Sequence, residues 1–259
     1  MSIDVDPDWW KTLFDEVYLL TDARSIDNAA VTRQEIDIYT ALAPMGRDDG
    51  ILDLCGGHGR HALELCRRGF TNCTVLDYAR PLLEIGKRTA AREGFTIEFV
   101  QGDARRTAWA DGSFDHVLIL GNSLGYIAES DSDLHILKES ARLLKPGGGL
   151  VLDVTDGAAV NKRITPQAWH EIGADVVVCR QREVQEGRVS AREMVLSKTD
   201  GLIRDRTYRI RLYGAAELAA QVDRAGFSEI QVHTDATALA AEVDVGCMNH
   251  RLVVTARKL

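Results

Sequence analysis

Short apolar runs alternate along this chain with longer stretches in which apolar residues recur at helical spacing, and turn residues separate the two. Ile51-Leu52-Asp53-Leu54 is too short for a helix of its own; Gly56, Gly57 and Gly59 follow at once, and a helical pattern opens near Arg60. Thr74 to Asp77 reads as a second strand, and Pro81 opens a helix that runs to about Gly94. Ile97 to Val100 make a third strand ending at Gln101-Gly102-Asp103, and Asp115 to Leu120 a fourth ending at Gly121-Asn122-Ser123. From Asp131 a helix carrying Leu134, Leu137, Ala141 and Leu144 on one face leads through Lys145-Pro146 and three glycines to the strand Leu150 to Val154. Strand alternating with helix predicts an α/β fold, a doubly wound, Rossmann-like and mostly parallel sheet.

The rhythm breaks between residues 171 and 213. Three segments rich in valine, threonine, arginine and isoleucine, divided by Glu186-Gly187 and Asp200-Gly201, read as antiparallel hairpins, so a small sheet is inserted over residues 160–213. A helix from Ala215 to Ala225, closed by Gly226, and strands near Ile230 to His233 and Arg251 to Ala256 bring the main sheet to seven strands. Ahead of it, residues 1–45 read as helical: one helix from Asp6-Pro7 with Trp10, Leu13 or Phe14, and Val17 on one face as far as Tyr18, and a second started by a Thr32-x-x-Glu35 capping box and stopped by Pro44. These helices are placed to form a lid over a ligand; the plainer alternative makes Trp9, Trp10 and Phe14 simply core. Residues 46–259 then form the principal domain.

Length and charge narrow the function. A chain of 259 residues with 45% hydrophobic content suits one α/β domain and a smaller appendage. Its net charge of −8 argues against DNA or bulk RNA as a partner. Cys55, Cys66, Cys73, Cys179 and Cys247 form no C-x-x-C pair, which fits reduced thiols and predicts no structural metal. Asp4, Asp6 and Asp8 stand where a secretory leader carries basic residues, and no apolar run approaches membrane-spanning length; the expectation is a cytoplasmic protein with no membrane partner.

The glycine turn carries the candidate chemistry. Without Cβ atoms the backbone can approach a flat or charged ligand, and the helix start presents free N–H groups to it. Gly57-His58-Gly59-Arg60-His61-Ala62 also fits the G-x-G-x-x-A dinucleotide fingerprint. Asp53 separates the readings, because a carboxylate aimed into the turn would repel a pyrophosphate and attract an ammonium or sulfonium group; the alternative is that Asp53 only caps the turn or helix. Asp77, Asp103 and Asn122 end three strands, and the carboxyl edge of a parallel sheet would gather them into one pocket.

ILDLCGGHGR, VLDYA, QGDAR, FDHVLILGNSLGY and LLKPGGGLVLDV, in that order over roughly residues 50 to 155, resemble the class I S-adenosylmethionine-dependent methyltransferases. One position departs: where the family usually has glycine two residues after the acid, this chain has Cys55, with Gly56 beside it. The resemblance implies S-adenosylmethionine as cofactor and S-adenosylhomocysteine as product. It puts the methionine part against Asp53, Cys55, Gly56, Gly57 and Gly59, both ribose hydroxyls on Asp77, the adenine amino group on Asp103 and its ring on the Ala104 N–H. Tyr78 would sandwich the base, while Tyr18, Gly121 and Asn122 complete the cofactor set. The reaction implied is in-line displacement onto an oxygen or nitrogen of a small-molecule acceptor, which alignment alone can accelerate greatly.

Acceptor-side candidates are Asn122, Ser123, Tyr126, Tyr208, Arg209, Arg211, Tyr213, His250 and Arg251, with Tyr126, His250 and Arg209 as the catalytic choices. Gly121 to Tyr126 lacks the paired prolines that mark many methyltransferases of exocyclic or amide nitrogens. Arg204, Arg206, Arg209 and Arg211 could bind an acidic substrate, but read better as a solvated face paired with Glu183, Glu186 and Glu193. The competing functions are an RNA or protein methyltransferase, a catalytically inactive S-adenosylmethionine-binding module and a nicotinamide-dependent oxidoreductase. An otherwise unpaired edge of the inserted sheet suggests a homodimer.

Overall fold

The computed structural model describes residues 2–22, 28–234 and 250–259. Its centre is a seven-stranded sheet in the order β10-β11-β5-β4-β1-β2-β3, formed by β1 (Ile51–Leu54), β2 (Cys73–Asp77), β3 (Glu98–Gln101), β4 (Phe114–Ile119), β5 (Leu144–Thr155), β10 (Phe227–His233) and β11 (Arg251–Lys258). Strands β1 to β5 pair in parallel, and β11 runs antiparallel to both β5 and β10. From β1 the chain winds outward first through β2 and β3 and then back through β4 and β5. The crevice therefore opens at the carboxyl ends of β1 and β4, where the winding reverses.

Period-two alternation splits β1 between two cores. Leu52 and Leu54 join Val117, Ile119 and the helices α5 (Ser132–Leu143) and α7 (Ala215–Arg224) on one face. Ile51 joins Val75, Leu118 and the helices α2 (Ala29–Leu42), α3 (Arg60–Arg67) and α4 (Arg80–Glu93) on the other. Asp53 lies on this second face, which decides its role.

The inserted sheet is β6-β7-β8-β9: Gln167–Ile172, Val176–Gln185, Arg188–Ser197 and Gly201–Arg211, all antiparallel, after a short helix α6 (Gly157–Arg163). Its first strand falls upstream of the three segments legible in the sequence. The predicted arginine face is also corrected. Arg204 is buried against Asp15 of the N-terminal segment, Arg211 binds Asp133 of α5, and Arg209 donates to Ser190 at 2.9 Å. Glu193 pairs with Arg180 at 2.7 Å and also with Arg204 at 3.8 Å, so that expected pair forms, but buried rather than on a solvated face.

At the N-terminus the single predicted helix is two pieces, a 3-10 turn at Trp9–Lys11 and α1 (Glu16–Thr21). Asp15 interrupts it by accepting from the N–H groups of Val17 and Tyr18 at 2.8 and 3.1 Å, which starts a new helix. The capping box at Thr32 is corrected too. Asn28 caps α2, while Thr32 and Glu35 lie inside it and are buried. Glu35 is turned inward by partners on α3, Arg60 and His61, that local sequence does not reveal. Among the described residues no helix is long and apolar enough to cross a membrane. Cys247 lies outside the described residues.

Candidate active site

The carboxyl edge of the sheet opens into a cavity of about 1020 Å³, its mouth included. The β1–α3 turn forms its floor. Cys55 and Gly57 take left-handed backbone, φ 62° and 59°, which lets the chain reverse between strand and helix. Asp77, ending β2, accepts from the Gly57 N–H through one oxygen and from the Ala79 N–H through the other, both at 2.7 Å. This ties the glycine turn to the next strand and leaves the carboxylate on the cavity wall. Burial pushes the Asp77 carboxyl up to about 6, against the pull of those two N–H groups.

Beyond Asp77 the wall is Tyr78, Gly102, Asp103 and Ala104. Trp10 packs edge-on to Tyr78 with ring centres 4.8 Å apart, and the Arg105 guanidinium lies 5.7 Å from the Trp10 ring. Burial raises the Asp103 carboxyl, but its bonds to Arg105, one of 2.7 Å, outweigh burial and hold it below its ordinary value. The opposite end is aromatic. Phe14 stacks on Tyr126 at 5.5 Å and meets Tyr18 edge-on at 4.9 Å, with Trp9 5.3 Å from Tyr126 behind them. Burial raises both phenols above their usual value, so they remain O–H groups at neutral pH. Asp133 closes this end, accepting from the Gly125 N–H at 3.0 Å and from the Tyr213 hydroxyl at 2.5 Å.

The cavity thus gathers Tyr18, Cys55, Gly56, Gly57, Asp77, Tyr78, Asp103, Ala104, Gly121 and Tyr126. Ser123 lines it too, whereas Tyr208, Arg211, Tyr213 and Arg251 do not. Five further candidates also stand apart from it. Asp53 is 1% exposed beneath the turn: a Cβ on Gly56 would sit 2.6 Å from its Cγ, so the glycine separates the carboxylate from the cavity. It faces the Ala62 N–H at the start of α3, which is the capping alternative, and neither oxygen completes a full hydrogen bond among the described residues. Burial raises its carboxyl above the ordinary value, which weakens the attraction that seemed to select a cationic ligand. Gly59, at φ 72°, packs under Phe99, where a Cβ would come within 2.9 Å of the ring. Asn122 is buried and accepts from the Thr155 N–H at 2.8 Å, behind the wall rather than in it. Arg209 turns to Ser190, and His250 lies at the β5–β11 edge, its carbonyl accepting from the Asp156 N–H at 2.9 Å.

Residues the sequence reading left out include His58, Arg60, His61 and Asp133. The signal for the first three was their position inside the glycine loop and first helical turn. Burial, then the nearby Arg60 charge, lowers the His58 imidazole to about 4 and keeps it neutral.

Residues 51–148 match the family model described as a methyltransferase domain. Over those residues the chain carries a methyltransferase domain of the class I, S-adenosylmethionine-dependent type. The Bacillus subtilis (strain 168) protein YqeM is 26% identical over 225 residues, covering 85% of this chain and 87% of YqeM. The demethylmenaquinone methyltransferase of Lactococcus lactis subsp. lactis (strain IL1403) is 37% identical over 132 residues, 48% of this chain and 50% of that protein, so the likeness spans about half of each. Among solved structures, the sugar N-methyltransferase KedS8 from Streptoalloteichus sp. superposes with a TM-score of 0.68 at 20% identity, over 100% of this chain and 97% of that one. The methyltransferase cavity fits its cofactor chemically: a wall without side chains at Gly57 and Gly121, a carboxylate for a diol at Asp77 and aromatic rings for a flat base.

Proposed function

We propose that this methyltransferase transfers its methyl group to an amine nitrogen of a small molecule. S-adenosylmethionine, when bound, supplies an electrophilic methyl on a sulfonium leaving group. Asp77 would accept from the two ribose hydroxyls, Tyr78 and Trp10 would hold the base, and Asp103 and the Ala104 N–H would read its edge. The aromatic end receives the acceptor, with Phe14 and Tyr126 excluding water and the Tyr18 and Tyr126 hydroxyls orienting it.

One observation carries the choice of nitrogen. None of the groups lining the acceptor end is free to take a proton: His61 is bonded to Glu35 at 3.1 Å, His58 is held at about 4, Asp133 is engaged by Tyr213, and Tyr18 and Tyr126 keep their protons; at the cofactor end Asp77 is taken up by the Gly57 and Ala79 N–H groups and Asp103 by Arg105. An amine arrives with its own lone pair and needs no base in the displacement, whereas a hydroxyl does. KedS8, similar over the whole chain and called a sugar N-methyltransferase, supports the same reading.

The test is tritium transfer from labelled S-adenosylmethionine to matched amine and alcohol acceptors. The amines should accept, with an apparent pKa in kcat/KM that follows the amine from one acceptor to the next. Transfer confined to the alcohols, or a profile fixed whatever the acceptor, would contradict the assignment.

Asp77 makes cofactor binding depend on pH. Only the carboxylate accepts from both hydroxyls, so affinity should be flat above about pH 6 and fall by up to roughly tenfold per unit below it. The sign for the ligand-free fold is opposite. A carboxyl raised from 3.8 to about 6 contributes its full destabilisation above pH 6 and none below about pH 4. Titrations with S-adenosylhomocysteine across this range check the first statement and urea melts the second.

A further inference from the structure

Arg60 is the one permanently charged cation among the residues lining the cavity. Its position follows from the glycine turn: Gly59 is the N-cap of α3 and Arg60 the first helical residue, so its side chain starts beside the loop. One edge of the guanidinium is committed, since Nη1 donates to Glu35 and, at 2.9 Å, to Thr32. The other edge is not; Nη2 and Nε donate to no group among the described residues. Nη2 lies 3.7 Å from where a Cβ on Gly121 would be, at the end of β4.

Sheet order says which part of a ligand arrives there. Strands run β4-β1-β2-β3 across this half of the sheet. With the ribose at Asp77 on β2 and the base toward Asp103 beyond β3, the remaining arm of the cofactor crosses β1 toward β4, between the glycine turn and Gly121. That arm ends in an amino acid, and its carboxylate is the cofactor's only anion. We propose that the free edge of Arg60 anchors this α-carboxylate, an inference that rests on the cofactor reading above.

Neutralising Glu35 does not by itself account for Arg60. His61 hydrogen-bonds Glu35 at 3.1 Å and Arg251 comes within 4.0 Å, so Glu35 has a second donor and a second cation beside it. A guanidinium suits a double task because its fork can satisfy Glu35 with one nitrogen and a ligand carboxylate with another. Through Glu35, on α2, the contact would also couple the N-terminal segment to the cofactor.

The test compares ligands with and without the carboxylate. Calorimetry on the full chain should show S-adenosylmethionine binding roughly ten- to a hundredfold more tightly than decarboxylated S-adenosylmethionine. The double variant Arg60→Met/Glu35→Gln, which avoids leaving Glu35 buried and unpaired, should lose that preference. Its affinity for 5′-methylthioadenosine, which lacks the whole amino-acid arm, should stay as in the parent and so report an intact nucleoside site. A preference that survives in the double variant, or is absent from the parent, overturns the role of Arg60 while leaving the cofactor reading standing. A folded parent that binds neither S-adenosylmethionine nor S-adenosylhomocysteine overturns both.

Discussion

Replacing Asp77 with alanine is expected to weaken S-adenosylhomocysteine binding by roughly two orders of magnitude, read from quenching of tryptophan fluorescence with Trp10 on the cavity wall. Two charge-assisted bonds to the ribose diol disappear, and hydrogen bonds to charged groups are worth about 1.5–3 kcal/mol each. The loss is less than their sum because burial already disfavours the ionised carboxylate, as its rise to about 6 records. Alanine also frees the Gly57 and Ala79 N–H groups, which loosens the turn itself. Asp77→Asn separates the effects: its carbonyl can still accept one bond, so it should bind between the parent and the alanine variant. An alanine variant with parental affinity would move the ribose away from Asp77.

The second large effect is on the fold. Arg251 is 2% exposed and Asp153 fully buried; the two form a two-pronged ion pair between β11 and β5, and the Tyr39 hydroxyl donates to the same carboxylate from α2. Arg251→Met strands a carboxylate in the core with a phenol as its remaining named partner. The expected cost is about 3–5 kcal/mol in urea unfolding, typical of removing one member of a buried pair. Asp153→Leu added to Arg251→Met should recover most of it, because the desolvated charge is then gone and apolar residues of similar volume fill the space. Tyr39→Phe in that background removes the hydroxyl left without its acceptor and should recover more. A single variant within 1 kcal/mol of the parent would contradict this account, roughly the range of exposed pairs.

Arg251 also shows why the sequence was only partly legible. As an arginine beside the final strand it read as an acceptor-side candidate, yet its partners Asp153 and Tyr39 come from elements 98 or more residues away. The seven-stranded sheet was readable because its inner strands β1, β2, β4 and β5 each hold a short, mostly apolar run with glycine, proline or an acid at or near its ends. Strand ends carried Asp77 and Asp103 to one edge for the same reason. Asp53 misled because its side of the sheet depends on the two-residue period of a four-residue strand, too short to show which face meets α3. Glu35 misled because three-residue spacing from Thr32 mimics a capping box when the true cap, Asn28, stands four residues earlier. Arg60 carried a local sign in its place directly after the glycine turn, whereas Asp133, on an ordinary helical face, gave none; tertiary packing turns both inward.

Calorimetric titration of the purified chain with S-adenosylmethionine and S-adenosylhomocysteine, with NADH as control, tests the central claim most directly. The account predicts saturable binding of both adenosyl ligands at one site per chain and none of NADH. A folded protein that binds neither adenosyl ligand, or binds NADH in their place, would contradict it.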